Sequence, residues 1–320
     1  MHGLADDVLR AVLTGLSPYD YCVTEFIRVT ESALPGRTFL RVAPELKHAS
    51  RTLAGTPVRV QLLGSDPQRL AASAAQLVEL NPAGIDLNFG CPAPTVNRHR
   101  GGAILLNEPD LLYAIVAAMR PHIPRHIPFT AKMRLGVEDT HNALRCASAL
   151  AAGGADELIV HARTKADGYR PPARWEWIQR ICDTVTIPVI ANGEIWNEAD
   201  YHACRAMTGC DDIMIGRGAI ADPLLVARLR GQTFTAEEAW AVLEGAIADF
   251  WQRVQVKVTP HHCPGRLKLW LNYLRLAYPA AETLYQHIRA AKTIADCERV
   301  LQPFLQTPHT PLPPHVTPSA

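Results

Sequence analysis

Residues 86–103 read DLNFGCPAPTVNRHRGGA, and this stretch indicates both a fold and a site. A short apolar-led strand ends at Asn88, and a loop then holds Cys91 between a glycine and a proline. Glycine permits backbone conformations that other residues resist, and proline restricts the chain that follows. We therefore expect Gly90 and Pro92 to hold the Cys91 thiol at the end of a strand. A lone cysteine is more often a small buried hydrophobic residue, and this stretch alone leaves that alternative open.

The composition is that of a globular protein with a sizeable core. Of the 320 residues, 48% are hydrophobic, and the formal net charge is +1. Such a balance gives no general attraction to nucleic acids or membranes, so any polyanion must be bound by a local patch. No apolar run approaches the roughly 20 residues of a membrane span, and we expect no membrane partner.

The cysteines and histidines indicate reduced thiols and no metal site. The eight cysteines are scattered and form no C-x-x-C pair. In a chain without a signal peptide, this pattern predicts a cytoplasmic protein without disulfides. Residues 261–263 read HHC, which are metal-ligand types, but no second cluster has a matching spacing.

Short β-branched runs alternate with helical patterns almost to residue 230. The predicted strands are Tyr21–Glu25, Val58–Leu62, Ile85–Asn88, Phe129–Met133, Leu158–His161, Pro188–Ala191 and Ile213–Ile215. The predicted helices are Ala5–Thr14, Gln68–Asn81, Asp110–Met119, Asn142–Ala152, Trp175–Cys182, Glu198–Thr208 and Asp222–Arg230. This alternation predicts an α/β fold with a parallel sheet, of the (β/α)₈ barrel type.

Polar residues stand at the carboxyl ends of the predicted strands, where such sheets carry their chemistry. In chain order they are Glu25, Gln61, Asn88, Lys132, Arg134, His161, Arg163, Asn192, Glu194, Gly216 and Arg217. One polar strand end is uninformative, but seven in succession predict a single convergent site.

A closed barrel needs eight strands, and the sequence supplies seven before its helical part. The chain opens on a helix, so either the protein begins upstream of Met1 or the barrel is open; we expect the former, because exposed edge strands favour aggregation. The predicted domains are a barrel over residues 1–232, a helical domain over 233–302 and a disordered Pro-rich tail over 303–320.

The helical part carries a local excess of positive charge. Its predicted helices are Glu237–Val254, Arg266–Ala277, Ala281–Ala290 and Ile294–Leu305. Residues 251–292 hold seven basic residues against one acidic residue, a net of +6. Arg266, Lys268 and Arg275 alternate with Trp270 and Tyr273, a mixture suited to phosphates and stacked bases. A solvated surface with no nucleic-acid partner is the alternative.

Two glycine-containing loops, residues 191–194 and 215–219, follow the last two predicted strands. Loops at these positions commonly bind phosphate in barrels through backbone N–H groups, which predicts a phosphate-bearing cofactor. A flavin mononucleotide (FMN) suits the other groups, with Gln61 at the ring edge and Lys132 near the ring. Lys132 could instead be an aldolase Schiff-base lysine, but that chemistry does not need Gln61, both glycine loops and a loop cysteine.

Several further segments carry a resemblance to the tRNA-dihydrouridine synthases, and most to their proteobacterial C subfamily. They are Thr24–Val29, Val60–Gly64, Asp86–Ala103, Ala131–Gly136, Val160–Lys165, Pro188–Trp196, Met214–Ala219 and Lys268–Arg275. The resemblance extends from residue 1 to about residue 300, and the loop around Cys91 together with the Lys132 and Asn192-Gly193 segments is typical of this family.

The resemblance implies NADPH-dependent, FMN-mediated reduction of a uridine in the D-loop of tRNA, which we expect to be uridine 16. By position, it makes Cys91 the proton donor. It assigns to FMN the residues Met1, His2, Gln61, Lys132, His161, Arg163, Asn192, Gly193, Glu194, Gly216 and Arg217. It assigns to the RNA the residues Arg28, Asn88, Arg134, Arg266, Lys268 and Arg275.

The chemistry of uracil agrees with this assignment. Its C5–C6 bond is conjugated to a carbonyl, so hydride addition at C6 requires a proton at C5. A thiol, with a reference pKa of about 8.5, is protonated near neutrality and can supply that proton. The family normally begins with a strand followed by Ala-Pro-Met, of which only Met1 is matched here. We therefore predict weak flavin binding for a protein that truly starts at Met1.

Two other functions remain open from the sequence. One is an FMN-dependent oxidoreductase for a small pyrimidine, which would have no use for the +6 helical segment. The other is a truncated, non-catalytic tRNA binder without a cofactor. No protein partner is implied, and we expect a monomer.

Overall fold

Short apolar strands pair in parallel in the computed structural model, which describes residues 3–304. The strands are β1 (Cys22–Val23), β2 (Ile27–Arg28), β3 (Val58–Leu63), β4 (Ile85–Phe89), β5 (Phe129–Arg134), β6 (Glu157–His161), β7 (Val189–Asn192) and β8 (Ile213–Met214). They follow the order β1, β3, β4, β5, β6, β7, β8, and β2 also pairs with β3. The predicted α/β fold of the barrel type is confirmed, although within the described residues β1 and β8 do not pair with each other.

Helices follow most of the strands, as the alternating pattern predicts. They are α1 (Asp7–Leu16), α2 (Gly36–Val42), α3 (Pro67–Val78), α4 (Pro94–Arg98), α5 (Pro109–Met119), α6 (Ala143–Gly153), α7 (Glu176–Cys182), α8 (Glu198–Thr208), α9 (Arg217–Ala221), α10 (Leu225–Leu229), α11 (Ala236–Lys257), α12 (Cys263–Leu274), α13 (Pro279–Ile288) and α14 (Ile294–Leu301). Short 3₁₀ turns occupy Pro44–His48, Gly102–Asn107, Arg120–His122 and Pro260–His262.

The local sequence explains where these elements begin and which face they bury. At α3, the Asp66 side chain accepts a hydrogen bond from the Arg69 backbone N–H at 2.9 Å, and Pro67 occupies the first turn. Leu70, Ala74 and Leu77 then recur at helical spacing and are buried. In β3 all six residues are buried, as expected of a parallel strand covered on both faces.

The first edge of the sheet is interrupted by a bulge. The prediction of one strand over Tyr21–Glu25 is wrong in extent, because residues 24–26 separate β1 from β2. Val23 pairs with Arg59 and Ile27 with Leu62, so three residues face two on β3. The hydroxyl of Thr24 accepts the backbone N–H of Gln61 at 3.0 Å, which satisfies a donor that the bulge would leave unpaired.

The described residues form two compact units, each with its own apolar core. The sheet unit comprises residues 21–195 and 199–216, and the helical unit comprises residues 3–20, 196–198 and 217–304. The helical unit therefore includes α1 and residues 217–232, whereas the sequence predicts a division after residue 232. That domain division stays a prediction. The predicted tail lies outside the described residues except for residues 303 and 304.

The helical unit is built around large apolar side chains. Trp270 of α12 is fully buried, and its ring lies 4.7 Å from that of Phe250 on α11 in an edge-on arrangement. The indole N–H of Trp270 donates to the carbonyl of Ile220 at 3.2 Å. A capping box of Thr235 and Glu238 begins α11. Among residues 3–304, no helix combines the length and hydropathy that a bilayer crossing requires.

Candidate active site

The register of the parallel strands brings the polar side chains at their ends side by side. Gln61 on β3 pairs with Asp86 on β4, and Asn88 pairs with Lys132 on β5. His161, which ends β6, pairs with the last residue of β7. Alternate residues of a strand face the same side, so Asp86 and Asn88 point in one direction. The predicted polar residues of these strands therefore lie at one edge of the sheet.

A continuous chain of hydrogen bonds runs through this edge toward the cysteine loop. The buried carboxylate of Asp86 accepts from Thr130 Oγ1 at 2.5 Å and from Gln61 Nε2 at 2.6 Å. Gln61 Oε1 accepts from Asn88 Nδ2 at 2.7 Å, and Asn88 Oδ1 accepts the Gly90 N–H at 2.9 Å. Burial raises the pKa of Asp86 to about 6, although hydrogen bonds and the Lys132 charge oppose this shift.

Lys132 occupies a position where its charge is costly. Its Nζ donates to Asn192 Oδ1 at 2.8 Å, and Asn192 Nδ2 donates to the carbonyl of Met214 at 2.7 Å. Burial, together with the charge of Arg134, lowers the pKa of Lys132 to about 7, while the charge of Asp86 opposes the shift. A bound anion would favour the protonated form of this amine.

The loop around Cys91 is held by backbone and side-chain hydrogen bonds. The carbonyl of Cys91 accepts from Asn97 Nδ2 at 2.8 Å and from the Ala103 N–H at 3.0 Å. Gly102 has a φ of +66°, and an added Cβ there would lie 2.7 Å from the Cys91 carbonyl oxygen. Cys91 follows the end of β4, as expected, but the conformational reason expected for Gly90 is wrong: its φ is not in the left-handed region, and an added Cβ would meet only ordinary contacts, the nearest at 3.6 Å.

Arg134, the last residue of β5, holds the same loop through hydrogen bonds. Its side chain is 1% exposed, and Nε donates to the carbonyl of Gly90 at 2.8 Å. Nη1 donates to the carbonyls of Thr164 and Gly168, both at 2.9 Å. Nε and Nη1 of the guanidinium are therefore engaged by the protein itself, and the contact of Arg134 with the RNA that the resemblance implies stays a prediction.

The loop after β7 is packed against His161. Gly193 has a φ of +118°, and an added Cβ would lie 2.8 Å from the His161 ring. The Gly193 carbonyl accepts the indole N–H of Trp175 at 2.9 Å. Arg163 is fully buried and forms an ion pair with Glu194, so its charge is compensated beside this loop.

The remaining residues predicted to bind the flavin are Gly216, Arg217, Met1 and His2. Gly216 follows β8, and no heavy atom lies within 4 Å of the position that its Cβ would take. Arg217 begins α9 in the helical unit, and its guanidinium lies 4.9 Å above the Trp196 ring. Met1 and His2 lie outside the described residues.

The residues predicted to contact RNA form contacts within their own units. In the sheet unit, Arg28 Nη2 donates to the carbonyl of His99 at 3.5 Å. In the helical unit, Arg266 is paired with Asp6 at 2.8 Å. Lys268 Nζ donates to the carbonyl of Ala291 at 2.9 Å, just after α13. Arg275 is paired with Glu282 at 2.9 Å and lies 4.6 Å from the Tyr285 ring centroid.

Two residues near the strand ends were not predicted as site residues. Asp86 is buried at the centre of the hydrogen-bond chain, and its position two residues before Asn88 on one strand could have indicated this. Tyr169 is 50% exposed, with its ring centroid 6.1 Å from that of His161 and 5.3 Å from the Arg134 guanidinium carbon. No group of three or more His, Cys, Asp or Glu side chains with metal-binding geometry occurs among residues 3–304.

The fold and the convergent strand ends define an enzyme of the α/β barrel type. The sequence profile described as dihydrouridine synthase (Dus) matches residues 1–262. The chain is 52% identical over 304 residues to a tRNA-dihydrouridine(16) synthase of Ralstonia nicotianae, covering 94% of this chain and 93% of that protein. It is 51% identical over 311 residues to a tRNA-dihydrouridine(16) synthase of Aquipseudomonas alcaligenes, covering 96% and 98%.

The chain belongs to the dihydrouridine synthase family, and it is an enzyme of that family. The resemblance inferred from the sequence motifs is confirmed.

Solved structures with low sequence identity share the fold. A 2-naphthoyl-CoA reductase complex aligns with a TM-score of 0.55 at 12% identity, covering 70% of this chain and 46% of that chain. Histamine dehydrogenase from Rhizobium aligns with a TM-score of 0.53 at 14% identity, covering 78% of this chain and 47% of that one.

Proposed function

We propose that this enzyme reduces a uridine in the D-loop of tRNA, at position 16, to 5,6-dihydrouridine, using FMN and NADPH. The observation that carries the proposal is the identity of about half, over nearly the full length, to proteins named tRNA-dihydrouridine(16) synthase. It coincides with a cysteine loop that follows directly on a convergent set of polar strand ends in the sheet unit.

The strand ends are chemically suited to FMN. Their carboxylates are already engaged, since Asp86 accepts from two side chains and Glu194 is paired with Arg163. The groups left for a ligand are donors and cations such as Lys132. At Gly216 the backbone is open to a closely approaching phosphate, because nothing lies within 4 Å of its missing Cβ. Gln61, His161, Asn192 and Gly193 belong to the proposed binding set in the sheet unit. The assignments of Arg163, Glu194, Arg217, Met1 and His2 to FMN stay predictions from the resemblance.

Cys91 is the proposed proton donor to C5 of the uracil. When bound, FMN supplies the hydride that adds to C6. The Cys91 thiol is half-buried in a loop whose carbonyl is fixed by Asn97 and Ala103, so its position relative to the strand ends is well defined. The Arg134 charge beside this loop favours the negative charge that develops on the pyrimidine before protonation. Nε and Nη1 of Arg134 are engaged by backbone carbonyls, so the proposed role of this residue depends on its charge.

We propose that the basic residues of the helical unit bind the RNA backbone. Residues 251–292 carry a net charge of +6, and Lys257, Arg289 and Lys292 are exposed. Lys268 donates to a backbone carbonyl and keeps its full charge, whereas Asp6 and Glu282 partly compensate the charges of Arg266 and Arg275 and fix their positions. Such a surface attracts phosphates in a salt-dependent way.

The proposal is tested with the purified full chain, FMN, NADPH and two tRNA transcripts. One transcript has uridine at position 16, and the other has cytidine there with the remaining uridines unchanged. We expect dihydrouridine by mass spectrometry in the first transcript and none in the second. Absence of product from both transcripts would refute the proposal, and equal reduction of free uridine would favour a small-pyrimidine enzyme. A parallel reaction with NADH tests the choice of reductant.

A further inference from the structure

The hydrogen-bond chain that leads to the cysteine loop has a fixed direction. Its members are one carboxylate, two side-chain amides and one backbone N–H, joined over distances of 2.6, 2.7 and 2.9 Å. Each amide donates through its nitrogen toward Asp86 and accepts through its oxygen from the loop side. An amide can be turned end for end with little change in shape, so the direction must come from a member that cannot be turned.

Asp86 is that member. An ionised carboxylate can only accept hydrogen bonds, so the Gln61 amide must present its NH₂ group to it. Gln61 Oε1 then faces Asn88, which must present Nδ2, and this leaves Asn88 Oδ1 to accept the Gly90 N–H. If the two amides were reversed, Asn88 would direct a donor at the Gly90 donor. A buried donor without an acceptor is costly, so one orientation prevails.

The end of the chain is the peptide that precedes the proposed proton donor. The Gly90 N–H is held by Asn88 and the Gly90 carbonyl by Arg134 Nε at 2.8 Å, so both polar groups of this residue are fixed from neighbouring strands. Cys91 follows directly. Its backbone therefore starts from a residue whose orientation depends on β4 and β5.

We propose that Asp86 is a positioning residue that orients the Gln61 and Asn88 amides and, through them, the Cys91 loop. The catalytic part of this inference, the positioning of Cys91 as a proton donor, rests on the proposed function. The inference also assigns the ligand chemistry of the two amides. The chain of hydrogen bonds uses one N–H of each amide, so the group that either amide can still offer a ligand is a donor. The two amides would thus select ring carbonyls or ring nitrogens that accept hydrogen bonds, in the flavin and in the pyrimidine.

The test compares Asp86→Asn with Thr130→Val in the full chain. Asp86→Asn keeps the shape but can present either end of an amide to Gln61, so the direction of the chain is no longer imposed. Thr130→Val removes a donor to Asp86 and so raises the pKa of that carboxyl further; at pH 8 the carboxylate remains an acceptor for Gln61, and the variant is a matched control there. The main readout is hydrogen exchange of the Gly90 backbone amide, measured by NMR without substrate.

We expect Gly90 exchange to rise about tenfold or more in Asp86→Asn, which corresponds to the loss of roughly one net hydrogen bond. Thr130→Val should change it less than about threefold on the same scale. Global unfolding temperatures of both variants separate this local opening from general destabilisation. Unchanged Gly90 exchange in Asp86→Asn, or an equal rise in both variants, would overturn the inference.

A second readout tests whether the position of the Cys91 loop affects the tRNA-dependent step of the reaction. In single-turnover experiments on flavin-loaded enzyme, Asp86→Asn should slow the tRNA-dependent step more than the NADPH-dependent reduction of the flavin. Failure of the proposed function is recognised separately, because the wild-type chain would then form no dihydrouridine in tRNA, whatever happens to Gly90 exchange. Equal slowing of both steps in Asp86→Asn, with normal Gly90 exchange, would make Asp86 a general structural residue.

Discussion

The sheet unit and the helical unit use their charged residues in different ways. In the sheet unit, Asp86, Arg134 and Arg163 are at most 1% exposed, and each is engaged by several polar partners at the strand ends. In the helical unit, the largest fully buried side chains are apolar, with Trp270 and Phe250 among them, and most charged residues are at least partly exposed.

The difference follows from the cost of burying charge. Taking an ionised group out of water costs several kcal/mol unless polar partners compensate it. A buried ionised group therefore needs several hydrogen-bond partners, and these partners fix the position of its side chain. Charges that attract a polyanion need only be accessible, because they act through water over about 8–10 Å. The sheet unit thus has the features of a catalytic site, and the helical unit those of an electrostatic surface.

The difference between the two units predicts its largest effect for Cys91→Ala, in the sheet unit. General acid catalysis contributes about 10²–10⁴-fold, so dihydrouridine formation should fall by at least about 100-fold. Flavin content and tRNA affinity should remain unchanged, since the side chain is small and lies in a loop fixed by backbone groups. The assay is dihydrouridine formation per enzyme under single-turnover conditions.

Cys22→Ala is the matched control, because it removes a half-buried thiol that lies in β1 and donates only weakly to the Pro57 carbonyl at 3.7 Å. It should retain normal turnover. Full activity of Cys91→Ala would remove this thiol from the mechanism, and comparable losses in both variants would indicate a nonspecific effect.

The next largest effect concerns the lowered pKa of Lys132. With a pKa of about 7, the amine is mostly neutral at pH 8 before a ligand binds. An anionic cofactor stabilises the protonated form and raises this pKa, so binding must take up protons at pH 8. We expect uptake approaching one proton when FMN binds. Calorimetry in two buffers with different ionisation enthalpies measures this number.

Lys132→Met supplies the control, because it keeps the length of the side chain and removes the titrating group. This variant should bind FMN at least about tenfold more weakly, since one charge-assisted hydrogen bond is removed, and with little proton uptake. At pH 6, where Lys132 is already protonated, uptake by the wild-type chain should be small. Equal uptake by both proteins would show that another group titrates.

The same contrast explains how much the sequence could predict. Helix α8 lies at its predicted bounds, because its apolar positions and a following glycine mark it locally. Helix α9 was not predicted as a helix, since it is only five residues long and contains the glycine of a loop motif. The edge strand was misjudged because a bulge depends on the register with β3.

For the site, polar residues near the ends of successive strands were sufficient to predict that Gln61, Asn88, Lys132, His161 and Asn192 lie side by side. Their partners were not predictable, because a hydrogen bond such as Gln61 to Asp86 depends on pairing between strands 25 residues apart. Arg134 illustrates the limit. Its engagement by the carbonyls of Thr164 and Gly168 requires the path of a loop that no local pattern encodes.

In the helical unit, smaller effects are expected for Lys268→Ala and Arg275→Ala. Each should raise the KM for tRNA several-fold and leave NADPH-driven flavin reduction unchanged, because the proposed function assigns these side chains to the RNA and not to the flavin. Removing one interaction with a phosphate should also reduce the slope of log affinity against log salt by about 0.7–0.9.

Lys292→Ala, at an exposed position, is the control for this effect. It should reduce the salt dependence of tRNA binding without changing the unfolding temperature. An equal fall in flavin reduction would make the basic helices structural.

The smallest effect distinguishes the two kinds of ion pair within the helical unit. Arg266 and Asp6 are paired at 2.8 Å with side chains 13% and 19% exposed, whereas Arg275 and Glu282 are paired at 2.9 Å and are 32% and 40% exposed. Solvent screens the second pair more, so its coupling free energy should be smaller than that of the first pair. Double-mutant cycles with Arg266→Met and Asp6→Asn, and with Arg275→Met and Glu282→Gln, measure both coupling free energies by urea unfolding.

Added salt should reduce the coupling of the Arg275 pair more than that of the Arg266 pair. Equal couplings with equal salt dependence would mean that Arg266 is as free to engage RNA as Arg275, and that the helical unit does not anchor its basic residues to different degrees.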